Sequence, residues 1–285
     1  MTKVAELIRK HSEYLQPNPT ARLDTEVLLA HCLNVDRASL YREPERALSA
    51  QQATILNDLI VARKTGRPIA QLVGKAEFYS LDFDVNGKVL IPRADTELLV
   101  EHAIRLIGNE PAQIVDLGTG SGVIAISLAV NCPNTIVYAV DICTSALAVA
   151  QTNCRNHKLD NLHLVRSSWL ESFAEKSIDM VVSNPPYIAS SDPLLIESSI
   201  SFEPRLALDG GRDGLCAYRL MLPQVRRTLK ASGHVLLEHG YRQGAEMRAL
   251  LTKEGFVQVQ TYSDLANHER VCAGVLGEHL SDEQA

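Results

Sequence analysis

The chain has 285 residues, 46% of them hydrophobic, with 28 Lys and Arg against 34 Asp and Glu and a formal net charge of −6. That length exceeds the ~100–200 residues of one typical domain and leaves apolar material for a packed core plus a smaller satellite. No uncharged apolar stretch reaches the ~20 residues of a membrane span, the N-terminus lacks the apolar run of a secretory signal, and the acidic balance argues against gripping duplex DNA through its phosphates; a cytoplasmic location is expected.

In chain order, residues 1–75 read as helices only. Val4, Leu7, Ile8 and His11 mark one face, Asn18-Pro19 opens a second helix through Leu33, and Ser49 with Gln52 forms a capping box before Ile55, Leu56, Leu59 and Ile60. Gly66-Arg67-Pro68 ends that third helix, which gives a small bundle. Phe78 to Ile91 then alternates like strands, with Asn86-Gly87 at the expected hairpin turn, so that residues 76–94 form a hairpin linker.

From 95 to 285 the pattern alternates: helix to Ile107, strand to Leu117, helix to Val130, strand to Val140, helix to Asn156, then strands Leu162–Val165 and Ile178–Val182. A long Ser-, Pro- and Gly-rich segment, 188–214, precedes a helix near Tyr218–Lys230. Strand Val235–Glu238, a helix from Gln243, and two strands around 257–262 and 270–276 complete seven. This predicts an α/β fold with a parallel sheet wound by helices, and the long loop is expected beside the ligand cleft at the carboxyl ends of the strands.

Two motifs carry chemistry. Strand Gln113–Leu117 runs into Gly118-Thr119-Gly120-Ser121-Gly122 and then a helix, an arrangement that offers close backbone approach and unpaired N–H groups to a ligand. Val123 stands where a dinucleotide fingerprint needs glycine, and Asp116 is an acid such sites do not ordinarily carry. With Asp141 ending the next strand, placed to accept ribose hydroxyls, the pattern suits an adenosine-containing ligand. Asn184-Pro185-Pro186-Tyr187 follows the strand at Ile178. The Asn184 side-chain carbonyl and the Pro185 main-chain carbonyl are two acceptors able to hold one NH2 group. Tyr187 adds a flat stacking face, and two prolines stiffen the turn. The combination points to transfer onto nitrogen.

Together these residues resemble the Rossmann-like S-adenosylmethionine-dependent methyltransferases. Leu90-Ile91-Pro92-Arg93-Ala94-Asp95-Thr96-Glu97, the Asn184 quartet, Glu203-Pro204, Ala207 to Leu215 and Leu237-Glu238-His239-Gly240 narrow the likeness, over essentially the whole chain, to the bacterial peptide chain release factor glutamine methyltransferases. The resemblance implies a seven-stranded catalytic domain whose last two strands form an antiparallel hairpin; the helical residues 1–75, the spare surface of adequate size for a second contact, are expected to be a substrate-docking domain. The resemblance also implies methylation of the glutamine nitrogen in the Gly-Gly-Gln motif of class-one release factors. It assigns Gly118 to Gly122 to the methionine end of S-adenosylmethionine, Asp141 to its ribose and Trp169 to its adenine, with Asn184 bordering both ligands. Asn184, Pro185 and Tyr187 are then the catalytic set, and Pro186 joins them in holding substrate. Ser168 and Ala94 depart from the family pattern. Arg93, Thr96 and Glu97 are second-tier candidates, and Glu238, which ends a strand facing the same cleft, is a candidate structural acceptor and is not counted as catalytic.

Six scattered cysteines, without a Cys-x-x-Cys pair or a His cluster, point to reduced, mostly buried thiols and no metal. Residues 1–75 hold 11 Lys or Arg against 8 Asp or Glu, leaving 17 against 26 for the rest. The alternatives are a ribosomal-protein glutamine methyltransferase, a nucleic-acid amino methyltransferase, and an adaptor that binds S-adenosylmethionine without turnover.

Overall fold

The computed structural model describes residues 3–196 and 200–277. The chain divides into two compact units, Met1–Lys75 with Ile196–Phe202, and Ala76–Leu195 with Glu203–Ala285.

The first unit is helical. α1 (Val4–Leu15) buries Val4, Leu7, His11 and Leu15, a stripe at helical spacing. α2 (Ala21–Leu33) has Thr20, not Asn18, at its N-cap position, without a side-chain capping bond; Asn18 Oδ1 accepts from the Thr20 N–H at 3.0 Å. α3 (Arg37–Arg42) starts at Asp36, which accepts from the Ser39 N–H at 2.7 Å. α4 (Ala50–Lys64) opens with the expected reciprocal cap of Ser49 and Gln52, and α5 (Ile69–Val73) closes the set. Among the described residues the bundle therefore has five α-helices, not three. The two additions are six and five residues long, too short to display a helical period. Leu28, Leu29, Leu56 and Ile60 form its core. Two acids are buried with partners: Asp24 meets Arg63 Nε at 2.7 Å, and Glu26 meets Arg22, Arg37 and the Tyr41 hydroxyl.

A hairpin, β1 (Lys75–Phe78) and β2 (Leu81–Asp84), turns at Tyr79-Ser80 and not at Asn86-Gly87. Both turn residues have positive φ, 51° and 59°, the pairing that suits a two-residue hairpin loop. Glu97 and Glu77 accept from the two turn N–H groups and stabilise it. Asn86 spends its side chain on a local turn with the Lys88 N–H. Phe78 and Phe83 enter the core of the second unit.

The rest of that unit is α6 (Glu97–Ile107), β3 (Gln113–Leu117), α7 (Val123–Asn131), β4 (Ile136–Asp141), α8 (Thr144–His157), β5 (Leu162–Arg166), β6 (Ile178–Ser183), α9 (Cys216–Thr228), β7 (Leu229–Glu238), α10 (Gly244–Lys253), β8 (Phe256–Ser263) and β9 (Glu269–Leu276). Seven strands lie in the order β5-β4-β3-β6-β7-β9-β8. All neighbours are parallel except β9, which runs antiparallel to both β7 and β8. β7 begins six residues before the expected Val235. Leu229 pairs with Ile178 and His234 with Met180, so the residues between bulge, with Ser232 at positive φ. Strand order reverses between β3 and β6, and at such a switch point the loops leave a crevice at the carboxyl ends of the strands. The cysteines are free. Cys132 and Cys272 are buried, but the other four are only partly so, which corrects the expectation of mostly buried thiols.

Candidate functional site

Register places the two motifs side by side. Leu117 pairs with Val140 on one flank and with Ser183 on the other, so Gly118, Asp141 and Asn184 leave three adjacent strands at one level. The Ser183 hydroxyl donates to the Leu117 carbonyl at 2.7 Å and ties β6 to β3 just below the crevice. β3 is wholly buried from Ile114 to Leu117, including Asp116. Asp116 Oδ2 accepts from the Thr119 hydroxyl at 2.6 Å and from the Ala125 N–H at 3.2 Å, shaping the loop from below. Its Oδ1 has no partner in the described residues, and burial pushes the carboxyl up to about 7.

A cavity of about 350 Å³ opens above this row, within the range of small-molecule sites. Gly118, Gly120, Asp141, Trp169 and Asn184 line it, and Pro186 joins them. Gly118 and Gly120 both carry positive φ, and a side chain on Gly118 would enter open space. Asp141 Oδ2 accepts from the Gly120 N–H at 3.0 Å, and its Oδ1 accepts from the Cys143 N–H at 2.8 Å. Each oxygen keeps a further lone pair for a hydroxyl. Trp169, half-buried at φ 51°, turns the chain at the far wall.

The remaining expected residues stand behind this surface. The Thr119 side chain is committed to Asp116, the Ser121 carbonyl accepts from Asn153, and Gly122 packs against Ala150 and Ile126. None of the three is on the cavity wall. Pro185 is buried, and Tyr187 is half-buried against the core beneath α9 and α10. Burial raises the Tyr187 hydroxyl above its ordinary value, so it stays a neutral phenol.

Asn184 Nδ2 donates to the Thr96 hydroxyl at 3.0 Å, which leaves its carbonyl oxygen as an acceptor. The turn is braced by the long loop. Ile188 N–H donates to the Leu208 carbonyl and accepts, through its own carbonyl, from Gly210; Gln243 Nε2 holds the Tyr187 carbonyl at 3.1 Å. A β-carbon on Gly214 would stand 2.3 Å from that carbonyl oxygen, so only glycine lets the loop close this tightly.

Sequence reasoning missed several wall residues. Lys88, Val89 and Leu90 line the cavity, hidden by reading them as part of a hairpin. Ser168, Leu206 and Leu220 also border it. Glu238, beside Asn184 on β7, is 1% exposed.

With this geometry in view, residues 93–201 match the Methyltransferase small domain, and residues 6–74 match the PrmC N-terminal domain. The release factor glutamine methyltransferase of Pseudomonas aeruginosa is 42% identical over 274 residues, covering 96% of this chain and 99% of that protein. The chain belongs to the release factor glutamine methyltransferase family. The member from Shewanella oneidensis is 40% identical over 255 residues, 90% of this chain and 89% of its own length. Ribosomal protein L11 methylase from Lactobacillus delbrueckii subsp. bulgaricus shares the fold, with a TM-score of 0.50 at 18% identity over 69% of this chain and 84% of that one.

The cofactor of this methyltransferase is S-adenosylmethionine. The donor set fits it: a carboxylate with free lone pairs suits ribose hydroxyls, glycines without side chains admit the amino-acid end, and an indole offers a face to a base.

Proposed function

We propose that this chain methylates the side-chain amide nitrogen of the glutamine in the Gly-Gly-Gln motif of class-one release factors, and that it does so in the cytoplasm. The observation that carries this reading is the state of Asn184. Its NH2 is engaged by Thr96 and its carbonyl is left to accept, on the wall of a cavity that suits S-adenosylmethionine.

When bound, the cofactor supplies a methyl carbon already activated by a sulfonium leaving group. A carboxamide is a poor nucleophile because its lone pair is delocalised into its carbonyl. Asn184 Oδ1 and the Pro185 carbonyl accept the two hydrogens of the substrate NH2 and turn the nitrogen lone pair toward the cavity. Pro185 itself has no N–H to compete with the incoming donor. Alignment of this kind removes ~7–11 kcal/mol from a bimolecular barrier in favourable cases, so the site needs no strong base. Once alkylated, the nitrogen becomes strongly acidic and loses its proton readily. The Tyr187 ring supplies a flat wall for the planar amide, held rigid by Gln243 on its carbonyl.

Gly118, Gly120, Asp141, Trp169 and Asn184 are proposed to contact the cofactor, with Thr119, Ser121 and Gly122 shaping the loop behind them, and Asn184, Pro185, Pro186 and Tyr187 are proposed as the substrate set. The helical residues 1–75 are proposed to dock the body of the release factor. Mass spectrometry after incubation with labelled cofactor tests the assignment. Addition of one methyl group to the glutamine of the Gly-Gly-Gln loop is the expected result. Methylation of DNA or of a ribosomal protein in its place overturns it.

A further inference from the structure

We infer that Glu238 is a positioning residue for methyl transfer, its ionised carboxylate working with Thr96 to hold the Asn184 amide with Nδ2 inward and Oδ1 outward. The inference rests on the glutamine-methylation reading above and deepens it. Ser183 pairs with Leu237, so Asn184 and Glu238 emerge as neighbours from the ends of parallel strands β6 and β7. Asn184 Nδ2 donates to Thr96 Oγ1 at 3.0 Å. The Thr96 hydroxyl keeps its own proton to give, and both Thr96 and Asn184 favour the ionised form of the Glu238 carboxyl beside them. Thr96 is 3% exposed and Glu238 1%, so bulk water does not compete for these groups. Among the described residues Glu238 Oε2 has no hydrogen-bond partner, which leaves the carboxylate with spare acceptor capacity.

The chemistry of a carboxyl decides which way the amide faces. An ionised carboxylate only accepts, so it stabilises Nδ2 pointing inward. A protonated carboxyl also donates, and that hydrogen satisfies Asn184 Oδ1 equally well. The amide can then turn over and present its NH2 to the substrate NH2, donor against donor. The ionised form is therefore the competent one.

Every packed element bears on this ionisation. Asp95, on the turn before α6, opposes the charge, and Arg270 on β9 favours it. Arg270 is itself shared between Asp95 at 2.9 Å and Asp264 at 3.0 Å. Tyr187 after β6 and Tyr218 on α9 face the group as neutral phenols, the latter donating to the Glu238 main-chain carbonyl at 2.6 Å. His239, next in the chain, is held neutral by burial. Burial is the largest influence on Glu238 and pushes its carboxyl up to about 7. The sign follows: methyl transfer rises with pH through this range and levels off above it.

The test is single-turnover methyl transfer to a Gly-Gly-Gln peptide by the full-length protein, from about pH 6 to about pH 8. The wild-type rate constant should fall by up to about tenfold per pH unit on the acid side. Glu238→Gln, which fixes the neutral state, should flatten the profile and lower its plateau by about tenfold or more, while calorimetry finds cofactor affinity unchanged. Glu238→Asp should restore the acid limb. A flat wild-type profile, or a Glu238→Gln protein that keeps both rate and limb, overturns the inference. Infrared difference spectra need no acceptor, and subtracting the Glu238→Gln spectrum separates Glu238 from the buried Asp116 carboxyl, which is also pushed up to about 7. A protonated carboxyl band that the variant lacks and that disappears as pH rises through the same range supports the inference, and absence of that band overturns it. If no acceptor is methylated at any pH, the glutamine reading fails separately, and the carboxyl band still decides the ionisation of Glu238.

Discussion

Asp141 is bonded twice to its own backbone surroundings, through the Gly120 and Cys143 N–H groups, before any ligand arrives. Its carboxylate is therefore held in place, and the lone pairs it keeps are preorganised for hydroxyls. Asp141→Ala should weaken S-adenosylmethionine binding by about 1.5–3 kcal/mol, the value of a charge-assisted hydrogen bond, while the fold survives. Calorimetry reads this directly, and unchanged affinity in a folded protein would remove Asp141 from the site. Asn184→Ala should behave differently, cutting turnover by about a hundredfold or more with little change in cofactor affinity, because its grip strengthens as the amide nitrogen pyramidalises. Single-turnover rates that match the parent would refute the grip. Asn184 and Asp141 were legible in the sequence because their chemistry sits in contiguous motifs. The Thr96, Asn184 and Glu238 cluster was not, since only strand register and the fold of the turn before α6 join residues this far apart in the chain.

The turn that carries Asn184 depends on an element with little regular structure. Between Ile188 and Gly214 the described chain makes three short 3-10 turns and returns to hydrogen-bond the segment after Tyr187. Gly214 and Gly255 both have positive φ, 76° and 86°, so alanine at either carries the left-handed penalty of ~1–2 kcal/mol. They differ in surroundings. A β-carbon at Gly255 meets nothing within 4 Å, whereas at Gly214 it collides with the Tyr187 carbonyl. Gly214→Ala should therefore lower the melting temperature more than Gly255→Ala, and should lower kcat as well. Equal losses in Tm with full activity in both would show that the loop does not brace the site. Long elements were readable because apolar residues recur over several turns or along a buried strand, as in α1, α7 and β3. The hairpin turn was misread for a physical reason. Asn86-Gly87 is the strongest local turn signal nearby, but Tyr79-Ser80 reaches positive φ with help from Glu97, far along the chain in α6.

At the scale of the whole chain, the two units differ in charge and in surface. Residues 1–75 carry an excess of three positive charges, while the remainder carries an excess of nine negative ones. The helical unit also leaves Tyr14, Leu23, Tyr41, Ile55 and Val61 substantially exposed. A glutamine presented on a mobile loop makes too small a contact to bind well by itself. Stable recognition between proteins commonly buries ~1,200–2,000 Å², and much of the gross gain is spent on ordering both partners. A second contact must supply the difference, and the helical unit is the surface proposed for it. A chain starting at Ala76 should keep its affinity for S-adenosylmethionine, because every residue lining the cavity lies beyond that point. Its KM for intact release factor should rise by about tenfold or more, whereas its KM for a short Gly-Gly-Gln peptide should hardly change. Steady-state kinetics on the two substrates, with calorimetry on the cofactor as the control for folding, separates the roles. Equal losses on protein and peptide would deny docking to the helical unit, because the peptide has no body to dock.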